Sequence, residues 1–221
     1  MTLLHRAVPQ VHRAVYQSAA LLLAYPGEDW PERRAEVAAA LIPLASPRMS
    51  LRTSPATGPL VDPLLAFCRA TAGTPVLELG ARYVVTFDRT RRRTLHLTHY
   101  TDGDTRRRGA SLVALKSRYR QHGWEPAGGE LPDFLPAVLE FAARCPAPGR
   151  AVLTEYEGSL ALLARGLAAH ASPYLDVLRA IRATLPATSA AASPAPVPAQ
   201  DRPAPVPFPL PHAPANEGVR R

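Results

Sequence analysis

The chain has 221 residues, of which 47% are apolar, and a formal net charge of +8, which is typical of one domain with a substantial core or two small ones. Its two cysteines, Cys68 and Cys145, stand far apart and outside any CxxC pattern, which excludes a disulfide framework. The longest apolar stretch, residues 19–25, is far shorter than the roughly 20 residues that span a bilayer, so we expect no stable membrane insertion and a cytoplasmic location.

Apolar residues at helical spacing predict four helical segments in the first half of the chain. Two of them, at residues 11–25 and 32–44, precede a stretch rich in Ser, Pro, Thr and Gly at residues 46–59, which is predicted to be a loop. Two more follow at residues 61–70 and 75–87. The β-branched residues of the last segment also favour a strand by propensity, but no partner strand is evident, so a helix is predicted.

The second half continues the helical pattern. Thr105 or Asp104 is predicted to cap a helix that ends near His122. Three more helices are predicted, one that begins at Pro132-Asp133, one that spans residues 150–170 and one that follows Ser172-Pro173 as a cap and first turn. Seven or eight helices without a convincing hairpin predict an all-α bundle.

The chain changes character at residue 186. Residues 186–221 contain ten prolines and no helical stripe, so they have almost nothing to bury. We expect an all-helical domain at 1–185 and a disordered, partly polyproline-II tail at 186–221.

The positive charge is concentrated in one region. Residues 82–120, called here the basic region, hold eleven positive and three negative residues, whereas the rest of the chain has fifteen of each sign. A partner with a negative or polar surface is therefore expected there. The richest polar stretch in the region is HLTHYTDGDTRRRGASL at residues 96–112.

A metal site in this stretch is disfavoured. Four side chains carry atoms that can ligate divalent ions: His96, His99, Asp102 and Asp104. Three adjacent arginines would repel a cation, however, and no HExxH or facial-triad pattern is present. No metal and no other cofactor is therefore predicted.

Two further functions are weighed against a docking role. A helical nucleic-acid-binding regulator that uses the basic region, Arg82 to Arg120, stays the alternative, although aspartates at the start of the helix oppose an anion there. Catalysis is not expected, since no GxSxG, P-loop, GxGxxG or Cys/His pair is present. Asp133 is interpreted as a helix N-cap or arginine partner, and Glu140 as a partner of an arginine from the basic region. Docking of an amphipathic peptide between helices, with arginines at the rim, fits best.

Three motifs resemble those of the NarJ-type chaperones, the delta subunit of respiratory nitrate reductase, within the wider group of TorD-like redox-enzyme chaperones. The first motif is YVxTFD at residues 83–88, the second is LxLTxYTxGDTRxRG at 95–109 and the third is ELPDxLPxVLEFAA at 130–143. The sequence departs from the family at Phe134, where histidine is frequent, and at His99, where tyrosine is usual.

The resemblance implies an all-helical cytoplasmic chaperone without catalytic activity. It would bind the apo catalytic (alpha) subunit of nitrate reductase, through the N-terminal segment of that subunit, and assist molybdenum cofactor insertion before membrane attachment. Contact residues expected on the motif surface are Tyr83, Phe87, Asp88, Tyr100, Asp104, Arg106, Arg107, Arg108, Leu131, Asp133, Glu140 and Phe141. Replacing Arg106, Arg107 and Arg108 with glutamine is expected to weaken client binding and leave the fold intact.

Overall fold

The fold is described from a computed structural model, which covers residues 2–45 and 57–186. Within these ranges the chain forms ten α-helices and no strand, so the predicted all-α class is confirmed. The helices are α1 (Thr2–Leu23), α2 (Trp30–Ala45), α3 (Gly58–Ala70), α4 (Val76–Tyr83), α5 (Thr98–Asp102), α6 (Arg106–Gln121), α7 (Leu135–Arg144), α8 (Pro146–Glu155), α9 (Glu157–Ala169) and α10 (Tyr174–Ala183). The loop predicted at 46–59 lies outside the described residues up to residue 56, and its last two residues begin α3. The tail predicted after residue 186 also lies outside them.

Helix α7 is at the centre of the domain because it has almost no polar face. Eight of its ten residues are buried, and a helix that is apolar on all sides must be covered by neighbours. Helix α1 makes the most extensive helix–helix contact of the fold with α7, and Arg13 donates from Nε to the carbonyl of Ala143 at 2.9 Å. On another side α8 packs so closely that a Cβ on Gly149 would lie 2.2 Å from the Cα of Ala142. Only glycine permits that approach.

An aromatic cluster joins α3, α4 and α10. The ring centroid of Tyr174 lies 4.8 Å from that of Phe67 and 4.9 Å from that of Phe87, and the Tyr83 and Phe87 centroids are 4.8 Å apart. Such tilted and edge-on pairs add to the free energy of burial. Tyr83 and Phe87, two of the expected contact residues, are therefore buried in the core.

Helix α4 continues into a π-helical turn, Val84–Asp88, and then a 3₁₀ turn, Arg91–Arg93. The helical prediction for this segment is confirmed, and the strand alternative is excluded. A π turn leaves backbone carbonyls without their usual α-helical partners. Arg93 supplies them, since its Nε donates to the carbonyl of Thr86 at 2.8 Å and its Nη2 to that of Val85 at 3.3 Å.

The C-terminal helices differ from the prediction in two places. The single helix predicted at 150–170 is two helices, α8 and α9, which meet at Tyr156, where ψ is +17° and the helical path ends. The Tyr156 side chain is buried at this joint. The predicted cap of α10 by Ser172 is wrong: its hydroxyl is buried without a hydrogen-bond partner, and its backbone carbonyl accepts from the N–H of Leu175.

Candidate functional site

A buried carboxylate, Asp133, connects the second and third motifs. Its side chain is fully buried and accepts three contacts from the second motif. His96 Nδ1 lies 3.0 Å from Oδ1, the Thr98 hydroxyl donates to Oδ2, and Arg108 Nη2 lies 3.4 Å from Oδ2. Because an ionised carboxylate can only accept, Nδ1 of His96 carries the proton in its bond. These partners compensate for the burial of the charge.

The environment of Asp133 acts on its pKa in two directions. Burial raises the pKa, whereas the hydrogen bonds from His96 and Thr98 and the positive charge of Arg108 lower it, and the net result is a pKa below the usual range. The prediction that Asp133 is the N-cap of α7 is wrong, because α7 begins two residues later. Its interpretation as an arginine partner is confirmed.

The backbone joins the same two motifs. An isolated antiparallel bridge pairs His96 with Phe134, and two backbone hydrogen bonds of 2.8 and 3.0 Å flank it. Phe134, which stands where the family often has histidine, places its ring centroid 5.4 Å from that of His96. Ser159 of α9 donates its hydroxyl to the carbonyl of Leu97 at 3.0 Å. The second motif is therefore fixed to both α7 and α9.

The arginines of the second motif have different environments. Arg106 and Arg107 are exposed, whereas Arg108 is half-buried, and its Nε also donates to the Thr98 hydroxyl at 3.2 Å. Replacement of all three would therefore remove an internal ion pair of Asp133 as well as surface charge. The expectation that the triple replacement leaves the fold intact applies to Arg106 and Arg107 alone.

The predicted cap of α6 is also wrong. Thr105 has the backbone position of an N-cap, but its hydroxyl donates to the carbonyl of Asp102 at 2.8 Å and accepts no bond from the helix. Asp104 turns away from the helix, where one oxygen lies 2.6 Å from Arg91 Nη1 and the other 3.7 Å from His99 Nδ1. The chain reverses at Gly103, whose φ of +60° with ψ of −150° requires glycine.

The 3₁₀ turn and α9 form the walls of an open cavity of about 540 Å³, called here the arginine cavity. Its lining residues are Arg91, Arg92, Arg93, His99, Tyr100, Leu162, Arg165, Gly166 and Ala169. A Cβ on Gly166 would lie 2.9 Å from the carbonyl oxygen of Arg92 and 3.0 Å from Cγ of Arg93. The missing side chain thus lets the turn rest directly on α9.

A second open cavity, of about 440 Å³, adjoins the first and is called here the π-turn cavity. Its lining residues are Glu78, Ala81, Arg82, Val85, Thr86, His170, Ala171, Ser172 and Pro173. The two cavities are neighbours because Ala169 lines one and His170 lines the other. Arg93 reaches from the first cavity to the π turn, which lines the second. The two cavities, together called here the groove, thus lie side by side at the end of α9.

The other expected contact residues are scattered around this site. Asp88 and Leu131 are exposed, and Tyr100 is half-buried with its hydroxyl donating to a backbone carbonyl at 2.9 Å. Phe141 is fully buried, 4.6 Å from the ring of Tyr119. The partner-contact role of the twelve residues stays a prediction.

Glu140 lacks the partner that the sequence predicted. Burial and a neighbouring carboxylate raise its pKa. Within the described part of the chain, the ion-paired arginines of the basic region bind other carboxylates. The predicted pairing of Glu140 with this region is therefore wrong.

Sequence reasoning did not find the α9 wall of the groove. Leu162, Gly166 and Ala169 belong to no motif, so no role was predicted for their shared face of α9. A signal existed in the second arginine triplet, Arg91–Arg93, which is as dense as Arg106–Arg108 and lies beside the motif. It predicted charge, but the packing of the turn on α9 depends on the absence of a side chain at Gly166.

Much of the positive charge in the basic region is neutralised in space. Five of its arginines form ion pairs: Arg82 with Glu78, Arg91 with Asp104, Arg108 with Asp133, Arg118 with Glu155 and Arg120 with Glu125. Four of these five carboxylates lie outside the basic region in sequence. The charge excess that suggested nucleic acid is therefore partly cancelled by the fold.

The candidate metal ligands do not converge. His96 faces Asp133 and His99 faces Asp104, so the two imidazoles serve different carboxylates. Among residues 2–45 and 57–186, no three His, Cys, Asp or Glu side chains are grouped so that they could hold an ion.

The fold has a counterpart among solved structures. A protein from Archaeoglobus fulgidus, described as a candidate redox enzyme maturation protein, superposes with a TM-score of 0.54 at 16% identity and covers 77% of this chain and 91% of its own. The chain thus has the all-helical fold of that structure. The sequence model of the nitrate reductase delta subunit matches residues 53–180, more than half of the chain. The chain belongs to the nitrate reductase delta subunit family.

Curated relatives agree with this assignment. NarJ of Bacillus subtilis, named for nitrate reductase molybdenum cofactor assembly, is 33% identical over 173 residues, which are 77% of this chain and 87% of NarJ. The nitrate reductase molybdenum cofactor assembly chaperone NarJ of Escherichia coli K12 is 39% identical over 80 residues, 36% of this chain and 34% of its own. The nitrate reductase-like protein NarX of Mycobacterium tuberculosis is 37% identical over 168 residues, 76% of this chain. The chain spans about a quarter of NarX, 24% of its length.

Of the helices in the described ranges, none combines the length and the apolar character that crossing a bilayer requires.

Proposed function

We propose that this protein is a dedicated, non-catalytic assembly chaperone of a respiratory nitrate reductase. It binds the apo catalytic subunit in the cytoplasm and assists molybdenum cofactor insertion before that subunit reaches the membrane. The observation that supports this function best is that the second and third family motifs meet at Asp133, while His99 and Tyr100 of the second motif line an open cavity. The names of the NarJ relatives support the same assignment.

The N-terminal segment of the catalytic subunit is the proposed ligand, and the π-turn cavity is its proposed place. Val85 in this cavity is 39% exposed. Leu77 is 89% exposed and lies four residues before Ala81 of the cavity in α4, so these two residues share a face of the helix. Large exposed apolar side chains next to a groove are typical of protein-binding surfaces. Exposed members of the motif surface, among them Arg106, Arg107 and Leu131, are proposed as further contacts.

Calorimetric titration tests this proposal. The titrant is a synthetic peptide that matches the N-terminus of the catalytic subunit from the same genome, with a scrambled peptide as control. We expect saturable binding of the true peptide alone. Val85→Asp should weaken it about tenfold, because a carboxylate would lose solvation in an apolar contact.

Val113→Asp is the matched control for that variant. Val113 is also a large exposed residue, 70% accessible, but it lies on α6 outside both cavities. Its replacement should leave affinity within about twofold of the unmodified protein. Absence of binding by the true peptide would contradict the proposed segment, and equal losses in both variants would contradict the proposed place.

A further inference from the structure

Two guanidinium groups in the arginine cavity have no carboxylate partner among the described residues. Arg92 belongs to the 3₁₀ turn and Arg165 to α9, so each of the two elements that line the cavity contributes one of these charges. Their neighbours differ, because Arg91 is paired with Asp104 and Arg93 is bound to the carbonyls of the π turn. The internal contacts of the fold thus use Arg91 and Arg93 and leave Arg92 and Arg165 for a ligand.

Apart from Arg165, the α9 wall of this cavity is apolar. Leu162, Gly166 and Ala169 follow one another on α9 at spacings of four and three residues, so they share one face of the helix. Gly166 adds no side chain to this wall, and the 3₁₀ turn packs directly against it. A ligand in the cavity therefore meets apolar surface from α9 and positive charge from both α9 and the 3₁₀ turn.

The geometry favours carboxylates over phosphate. Phosphate sites gather backbone N–H groups that point at the anion. Here the N–H of Arg92 donates to the Thr90 hydroxyl and the N–H of Arg93 donates to the Thr90 carbonyl, each at 3.3 Å. The N–H groups of Arg92 and Arg93 are therefore not available to an anion, and these two residues can offer it their guanidinium groups. Arginine forks bind carboxylates through two parallel hydrogen bonds.

We propose that the arginine cavity binds an acidic, amphipathic segment of the client protein. Glutamate or aspartate side chains of this segment pair with Arg92 and Arg165, and its apolar side chains cover Leu162 and the small residues of α9. The proposal rests on the chaperone function above and adds a second, charge-selective contact to it. It also gives the cavity a different ligand from the one proposed for the π-turn cavity.

Direct binding of a defined probe tests the cavity itself. The probe is a fluorescent peptide built from alternating pairs of glutamate and leucine, measured by polarisation against the full-length protein. We expect saturable binding that weakens steeply between about 50 and about 300 mM salt, because exposed ion pairs are screened. Arg92→Gln with Arg165→Gln should weaken binding about tenfold and flatten the salt dependence.

The double variant Arg69→Gln with Arg150→Gln is the matched control. Both of these arginines are exposed and lie outside both cavities, so the change in net charge is the same. Affinity of this control should stay within about twofold of the unmodified protein. Equal losses in the two double variants would overturn the proposal, since the effect would then come from net charge. Displacement of the probe by sodium pyrophosphate at equal anion concentration would also overturn it, because a phosphate site would be indicated.

A parallel measurement separates this inference from the proposed function. The full-length apo catalytic subunit is titrated with the unmodified protein and with Arg92→Gln, Arg165→Gln. We expect binding to the unmodified protein and about tenfold weaker binding to the variant. Binding that is equal for both proteins would overturn the inference and leave the chaperone function standing. Absence of subunit binding together with binding of the acidic probe would contradict the chaperone function and the client as ligand, and would leave only the preference of the cavity for acidic peptides.

Discussion

Asp133 illustrates how a single residue organises two distant motifs. Its carboxylate takes contacts from side chains that are 25 to 37 positions away in sequence, and its own backbone is part of the bridge to the second motif. Desolvation of a carboxylate is costly, so removal of the charge or of its partners leaves unsatisfied polar groups inside the fold. Asp133 is therefore expected to act on stability first and on ligand binding through the position of the second motif.

We expect Asp133→Asn to lower the free energy of unfolding by about 3 kcal/mol at neutral pH, because one amide oxygen cannot accept what two carboxylate oxygens accept. The pKa of Asp133 is lowered in the folded state, so its stabilisation is complete above the usual aspartate pKa and is lost as the pH falls through the folded value. The difference between variant and unmodified protein should therefore shrink on acidification. Urea denaturation at about pH 7 and about pH 3 measures it.

Asp88→Asn is the control for this prediction, because Asp88 is exposed at the end of the π turn. It should change the free energy of unfolding by less than about 0.5 kcal/mol at either pH. A difference for Asp133→Asn that stays constant from neutral to acidic pH would show that its carboxylate is not the source of the stabilisation.

At the level of the helices, the apolar periodicity of the sequence predicted most of the helices that form. Apolar stripes place α2, α3, α6 and α10 close to their observed positions, because each of these helices buries one continuous face, whereas α1 begins nine residues before the predicted start at residue 11. The joint between α8 and α9 could not be predicted, since the apolar spacing continues through Tyr156 and the break depends on how that ring packs. The π turn could not be predicted either, because the residue that binds its carbonyls, Arg93, belongs to the following 3₁₀ turn.

The candidate site was predictable in part for the same reason. Motif residues such as His96 and Arg108 were identified as one polar stretch, because they are neighbours in sequence. Their shared partner, Asp133, was assigned to a helix end, because local patterns report local contacts only. The α9 wall was missed because its decisive feature, the close approach at Gly166, exists only after the turn and the helix have met.

Gly166 provides a test of how α9 supports the arginine cavity. Gly166→Val should lower the free energy of unfolding by about 1 to 3 kcal/mol, because its branched side chain must displace the backbone of the 3₁₀ turn at Arg92. Binding of the acidic probe should weaken with it. Gly158→Val in the same helix has no atom within 4 Å of the added Cβ and should change both quantities much less. Equal effects of the two variants, measured by thermal unfolding and polarisation, would point to helix propensity instead of the contact.

At the scale of the whole molecule, the first and the last described helices, α1 and α10, pack against each other. Thr184, just after α10, donates its hydroxyl to the carbonyl of Ile181 at 2.6 Å, so the hydroxyl of Tyr16 in α1 donates to Thr184 at 2.8 Å. Both side chains are buried, and Leu185 is 8% exposed. First and last helices thus share one core, which fits the predicted domain boundary at residue 185. That boundary stays a prediction.

Two truncations test it. A chain that ends at Pro186 should have the melting temperature of the full chain, because every buried residue described here is retained. A chain that ends at Ala183 loses Thr184 and Leu185 and should be less stable by about 2 kcal/mol, since a buried hydroxyl of Tyr16 is left without its partner. Scanning calorimetry of the full chain and the two truncated chains measures these melting temperatures. If the chain that ends at Pro186 melts below the full chain, the domain boundary lies beyond that residue.

The packing of α1 against α7 has a consequence during protein synthesis. A ribosome completes α1 more than a hundred residues before it reaches the beginning of α7. For that interval α1 can pack on α2 and α3 but lacks α7, the helix with which it makes its most extensive contact. A protein proposed to shield an unfinished client therefore passes through an unshielded stage of its own, and it leaves this stage only when translation of α7 is complete.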